Sequence, residues 1–203
     1  MGQRHQVYVF VTDKDNGNIC AYAYHNQWCY GTLPLRHLAR IVKFQKKAQE
    51  YNDIGGCHYD ETDKISAILA LDIEDGTYGG YFSIINEVTE KDDNGCIDHN
   101  TVDPSRGDNN DGITVICIDG NTKKVQYCFM NIGEGDSSVM EAKPKHPLSA
   151  KEYVSLYYKE GSERWKDFKV AEILKAIGKT ELLTLAECKK LLPKFYAEKS
   201  VEA

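Results

Sequence analysis

The chain reads as an α+β protein: an antiparallel sheet built from hairpins, one long helix packed on it, and a helical unit towards the C-terminal end. Three observations predict this class. Short apolar runs (Val7 to Val11, Ile19 to Tyr24, Tyr81 to Val88, Ile113 to Ile118 and Val125 to Ile132) are punctuated by Asp, Asn and Gly, the signature of strands and hairpins. A single early segment, Leu33 to Tyr51, has apolar residues at helical spacing. After Pro147 the spacing is helical almost throughout, with two Ser/Thr-x-x-Glu capping boxes. Strands grouped in one part of a chain and helices in another indicate α+β.

The first two runs are joined by Asp13-Lys14-Asp15-Asn16-Gly17-Asn18, a turn signal that predicts a hairpin. Thr32 and Pro34 then open the long helix. Leu35, Leu38, Ile41, Val42 and Ala48 mark its buried side, while Arg36, Arg40, Lys43 and Lys47 form a basic stripe beside it. Gly55-Gly56 ends the segment. Asp60 to Leu71 reads as a short helix, although Ile68 to Ile73 fits a strand equally well. Tyr81 to Val88 is the third strand run. Thr89 to Asp111 carries no periodic pattern and reads as a long acidic loop, a kind of connection that is uncommon unless functional or disordered. The clearest hairpin follows, Ile113 to Ile118 and Val125 to Ile132 around Asp119-Gly120-Asn121.

Gly133 to Pro147 is rich in Gly, Ser, Lys and Pro and reads as a linker. Ser149 with Glu152 is a capping box for a helix through Tyr158. Trp165, Phe168, Ile173, Leu174 and Ile177 mark a second helix closed by Gly178. Thr184 with Glu187 caps a third that ends at Leu192, before Pro193. This divides the chain into an α+β core over 1–147, containing the acidic loop 89–111, and a C-terminal helical subdomain over 148–203.

Composition narrows the class of function. Hydrophobic residues at 41% and charged residues at 28% are ordinary for a globular protein. No apolar run approaches the ~20 residues that cross a bilayer, and no secretory h-region is visible, so no membrane partner is expected. The seven cysteines are scattered, and Cys20, Cys117 and Cys128 fall in apolar runs, which points to reduced thiols and a cytoplasmic location. The net charge is −6, of which −5 lies in 89–111, where seven acids outnumber Lys91 and Arg106. An acidic chain argues against general nucleic-acid binding, which draws its affinity from phosphate neutralisation. A local basic patch can still hold a small anion.

The strongest candidate for such a place is a polar junction. Met1 to Gln6 is polar yet runs straight into the first strand, and the second strand ends in His25-Asn26-Gln27-Trp28-Cys29-Tyr30-Gly31. If the hairpin pairs with residue numbers summing to about 31, Gln6 faces His25, His5 faces Asn26 and Arg4 faces Gln27. A slip of one residue would exchange the faces. Such side chains offer forked donors, amide donor–acceptor pairs and a stacking surface, which suit a planar heterocycle or a phosphate. Arg36, in the first turn of the helix whose N-terminus favours anions, lies next to them, followed by Arg40. The ligand-binding set expected is therefore Arg4, His5, Gln6, His25, Gln27, Trp28, Tyr30, Arg36 and Arg40. The alternative is a hydrogen-bond network that satisfies itself and anchors the N-terminal strand.

The residues Met1 to Gln6, then His25, Gln27, Trp28, Tyr30 and Gly31 in the order H-x-Q-W-x-Y-G, then Pro34-Leu35-Arg36, form a pattern over the first quarter of the chain. In this it resembles an uncharacterised family of mainly fungal hypothetical proteins. The resemblance supports grouping these residues and implies no activity.

Other chemistry is weaker. Asp92-Asp93-Asn94-Gly95 and Asp108-Asn109-Asn110-Asp111-Gly112 lack the spacing of a calcium loop and fit Asx-Gly turns. Cys57-His58 and Cys96-x-x-His99 lack a Cys-x-x-Cys half, so no metal site is expected. Cys29 beside His25 or His5 is the one attractive nucleophile, and no G-x-S-x-G, P-loop or H-E-x-x-H motif is present. No catalytic residue and no cofactor are assigned. The expectation is a non-catalytic binding protein for a small anionic or nucleotide-like ligand, serving as sensor, carrier or sequestering protein, with homo-oligomerisation left open. The alternatives are a protein-interaction or assembly protein whose junction is purely structural, and a hydrolase using Cys29 or a loop-bound metal.

Overall fold

The computed structural model describes residues 4–12, 19–27, 29–51, 82–84, 112–130 and 145–197, with the backbone alone described at 4, 12, 19–25, 27, 48–51 and 82–84. The turn at 13–18, the segment 60–71, the acidic segment 89–111, most of the linker, Trp28, and the pairs Cys57-His58 and Cys96/His99 lie outside the described residues. Among the described residues, six strands form one sheet: β1 (Arg4–Thr12), β2 (Ile19–Gln27), β3 (Phe82–Ile84), β4 (Ile113–Asp119), β5 (Val125–Met130) and β6 (Glu181–Leu182). Their spatial order is β3-β2-β1-β4-β5-β6. Helix α1 (Thr32–Tyr51) follows β2. Helices α2 (Ala150–Ser155), α3 (Glu163–Asp167), α4 (Val170–Ile177), α5 (Leu185–Leu191) and α6 (Pro193–Tyr196) follow β5. The mixture of sheet and segregated helices is α+β.

The sheet is mixed, not wholly antiparallel. β1 pairs antiparallel with β2, and β4 with β5, but β1 runs parallel to β4 and β5 parallel to β6. The cause lies in β1 itself. Val7 and Val9 point to one face, Tyr8 and Phe10 to the other, and all four are buried. A strand that is apolar on both faces belongs in the middle of a sheet with both faces covered. It needs a second neighbour, and β4, with Ile116 and Ile118 on one face and Ile113 and Val115 on the other, supplies it. Parallel neighbours require a long crossover, and the chain between β1 and β4 contains β2 and the whole of α1.

Two cores result. On one face Val7, Val9, Ile116, Ile118, Tyr127 and Phe129 pack beneath Leu35, Leu38, Ile41 and Val42 of α1 and Tyr153, Val154, Val170 and Ile177 of the later helices. On the other, Tyr8, Phe10, Ile113, Val115, Cys128 and Met130 are covered by Leu183, Cys188, Leu191, Leu192 and Phe195. The segment 148–197 therefore packs on both faces of the sheet and contributes its last strand.

Local chemistry explains the element ends. Both capping boxes form: Ser149 with Glu152 opens α2, and Thr184 with Glu187 opens α5. The apolar pattern from Trp165 to Ile177 is two helices, because Lys169 adopts a left-handed conformation (φ 53°) between α3 and α4. At the β4–β5 turn the Asp119 carboxylate accepts from the backbone N–H groups of Asn121 and Thr122, each at 2.8 Å. Those bonds hold its pKa below the ordinary carboxylate value.

Candidate functional site

Strand alternation decides what the polar junction can do. The β1–β2 register sets Arg4 opposite Gln27, His5 opposite Asn26 and Gln6 opposite His25. His5 and Gln6 are successive, so the sheet separates them. His5 lies on the α1 face, wholly buried, with its Nε2 2.7 Å from Thr114 Oγ1 and its ring edge-on to Tyr153 at 6.0 Å between centroids. Asn26 is buried on the same face, and its Nδ2 has no hydrogen-bond partner among the described residues. Gln6 lies on the opposite face, where its Oε1 accepts from the Tyr8 hydroxyl at 2.6 Å. The expected set is therefore divided between two faces, and its central members His5 and Gln6 are sealed from solvent.

Among the described residues of that set, those reaching the surface lie at the corner where β2 leads into α1. Tyr30 is 37% exposed there. Gly31 has φ +60°, a left-handed conformation that favours glycine, and a Cβ at that position would stand 2.5 Å from the Tyr158 hydroxyl oxygen. The absence of a side chain lets the turn that follows α2 close onto the start of α1. That approach assembles an aromatic strip. Tyr30 lies 6.2 Å from Tyr157 between ring centroids, Tyr157 lies 6.3 Å from Tyr158, and Tyr158 lies 5.1 Å from Phe168. Underneath, Tyr157 meets Tyr153, whose ring stacks on Phe129 at 4.6 Å. Phe168 is itself 39% exposed.

Cations border this strip. Burial raises the pKa of Tyr158, the neighbouring Tyr30 raises it further, and Arg164 and Arg36 act in the opposite direction. Both guanidinium groups are thus close enough to act on the Tyr158 hydroxyl. Arg36 is half-buried in the first turns of α1, and Arg164 is exposed on α3. Neither makes an ion pair among the described residues, and Lys43 and Lys47 make none further along the same helix. Arg40 lies one turn beyond Arg36 and is half-buried.

Of the expected residues, Tyr30 and Arg36 belong to this corner and Arg40 flanks it. The side chains of Arg4, His25 and Gln27, and the whole of Trp28, lie outside what is described. Tyr157, Tyr158, Arg164 and Phe168 are additions. The adjacent tyrosines just after α2 are a visible feature of the sequence, but nothing local connects them to residue 30.

Among the described residues, Cys29 meets a histidine of α1 and not His5. Its Sγ is 4.0 Å from Nδ1 of His37, one turn into α1, whereas His5 Nε2 meets Thr114. Both Cys29 and His37 are buried. Burial, with help from the charge of Arg40, lowers the His37 pKa to about 3, so the imidazole is neutral at physiological pH. A thiol sealed beside a neutral imidazole lacks solvent access, and the neutral ring does not stabilise a thiolate. Among the described residues no group of three His, Cys, Asp or Glu side chains is arranged to hold a metal ion.

The fold and corner together define an α+β protein with an aromatic surface edged by arginines. Comparison with protein-family models, with curated proteins and with solved structures finds no match. No helix among the described residues is long and apolar enough to cross a membrane.

Proposed function

We propose that the protein binds a small anionic, nucleotide-like ligand without transforming it, as a sensor, carrier or sequestering protein. The observation that carries this reading is the aromatic strip beside Arg36 and Arg164, in which Tyr30 and Phe168 are exposed and Tyr157 is half-buried. Aromatic faces supply a sequence-independent platform for a planar ring. A guanidinium offers paired donors to phosphate, and Arg36 adds its charge in the early turns of a long helix, whose N-terminus favours anions. We place the protein in the cytoplasm, in keeping with its free thiols Cys29, Cys117, Cys128 and Cys188.

Thermal shift with adenosine monophosphate, guanosine monophosphate and inorganic phosphate tests the proposal, because a ligand of the folded state raises apparent stability with the logarithm of its concentration above Kd. The nucleotides are expected to raise the melting temperature at millimolar concentration, more than phosphate does. Arg36→Ala and Tyr30→Ala should each remove the shift while leaving the melting temperature without ligand near that of the wild type. No shift with any nucleotide would overturn the reading.

A second reading is favoured by the complete burial of His5, Gln6 and Thr114. Here the junction is structural, and the exposed Tyr30, Phe168, Leu182 and Leu185 meet another protein chain. Sedimentation over a wide concentration range separates the two. Self-association abolished by Phe168→Ser, with no nucleotide effect, would favour the second.

A further inference from the structure

Three thiols gather on the sheet face that α5 and α6 cover. Cys128 of β5 and Cys188 of α5 are wholly buried, 60 residues apart in sequence, and their sulfur atoms are 3.5 Å apart. Cys117, on the adjacent strand β4, is packed against the same cluster. Around them stand Met130 and Tyr196, whose single hydroxyl proton has two acceptors in reach, the Lys145 carbonyl at 2.8 Å and the Met130 sulfur at 3.0 Å. An S–S bond is about 2.05 Å long, so the two sulfurs need to close by only about 1.5 Å. One sulfur rides on a central strand and the other on a seven-residue helix, and the smaller element can make the adjustment.

We propose that Cys128 and Cys188 form a latent disulfide site, converted by a peroxide into a cystine that staples α5 to β5. One thiol, as thiolate, attacks a peroxide oxygen, breaking the O–O bond, giving a sulfenic acid and releasing one water. The second thiol attacks that sulfenic sulfur, the S–S bond forms, and the hydroxyl leaves with the thiol proton as a second water. Two thiols and one hydrogen peroxide thus give one disulfide and two waters, the two electrons passing from sulfur to oxygen.

The surroundings set the conditions. Burial, the Glu187 carboxylate and Cys188 push the Cys117 thiol up to about 12, and burial with the Cys188 contact raises Cys128 as well. In the closed fold Cys128 and Cys188 are shielded from solvent, so the reaction proceeds from states in which α5 and α6 have lifted locally from the sheet. The contact therefore determines which thiols pair, and local opening determines how fast they do so.

The full-length protein treated with hydrogen peroxide at neutral pH, in buffer and in sub-denaturing urea, then alkylated and mapped without reduction, tests this. The expected result is loss of two hydrogens from the intact mass, with the Cys128–Cys188 peptide as the dominant cross-link and Cys117 alkylated. Urea should accelerate the reaction. The oxidised protein should melt about 10 °C higher, reversibly with dithiothreitol, because a cross-link over so long a loop restricts the unfolded chain. Cys188→Ala and Cys188→Ser should both lose the cross-link and the thermal gain. A dominant pairing of any other cysteines, no cross-link even in urea, or a thermal gain that persists in Cys188→Ala would overturn the proposal. The wild-type map does not depend on how well either variant folds.

Discussion

Replacing Gly31 by alanine tests the geometry on which the candidate site rests. Two costs act at this position. The residue sits at φ +60°, where an L side chain is disfavoured by about 1 kcal/mol. The added Cβ also falls 2.5 Å from the Tyr158 hydroxyl oxygen and 3.1 Å from two of its ring carbons. A tyrosine at the surface would swing away at little cost. Tyr158 is 9% exposed and its ring lies against Phe168 and Tyr157, so moving it disturbs the whole strip. Overpacking of this kind costs about 1–3 kcal/mol. The expected destabilisation of Gly31→Ala is therefore about 3 kcal/mol. Gly161→Ala is the control, because φ is +79° there but nothing lies within 4 Å of the new Cβ. It should lose only about 1 kcal/mol. Urea unfolding of both variants beside the wild type measures the difference, and Gly31→Ala should also weaken any nucleotide-induced thermal shift. Equal destabilisation of the two variants would refute the claim that close approach of Tyr158, in the turn after α2, to Gly31 builds the corner.

Two further predictions concern buried groups. The folded-state pKa of His37 is about 3, against about 6.5 for an unfolded histidine, so the unfolded chain binds the extra proton between those values and stability falls with falling pH. The loss between pH 7 and pH 5 should be about 2 kcal/mol by urea unfolding. His37→Leu should flatten that part of the profile, and an unchanged slope would show that the site is open to water. Thr114→Val keeps the shape of the side chain but removes the hydroxyl at 2.7 Å from His5 Nε2. It should cost about 1–3 kcal/mol in equilibrium unfolding while leaving ligand-induced shifts intact, and loss of the ligand shift without loss of stability would move His5 into the site.

Features governed by neighbours in the sequence were legible in it. The capping boxes at Ser149/Glu152 and Thr184/Glu187 depend on residues three apart, and the Asp119 turn closes through the next few backbone amides. The apolar run Val7 to Val11 marked a strand, but an apolar run does not state how many neighbours it will have. The parallel pairing of β1 with β4 depends on residues more than a hundred positions apart, so the antiparallel sheet was the natural first expectation. The site suffered from the same limit. Tyr30 and Arg36 stood out because they are close in sequence to other polar residues. Tyr157, Tyr158, Arg164 and Phe168 reach them only through the fold. Lys169 illustrates a third kind of miss, since a left-handed lysine has no composition signal and splits what the apolar spacing presented as one helix.

The division of the polar junction follows from the period of a β-strand. Residues adjacent in sequence alternate faces, so a cluster that is dense along the chain is diluted by half as soon as it enters a sheet. His5 and Gln6 both belong to a central strand and are both buried, one bonded to Thr114 and the other to Tyr8. Polar groups at such depth must be paired, and pairing them selects one register over its neighbours, because a slip of one residue would place His5 on the face where Gln6 now meets Tyr8. Their effect on the surface is indirect. His5 meets Tyr153 edge-on, Tyr153 contacts Tyr157, and Tyr157 contacts Tyr30. The buried polar residues hold the layer on which the exposed aromatic rings rest, and the chemistry open to a ligand begins one layer further out.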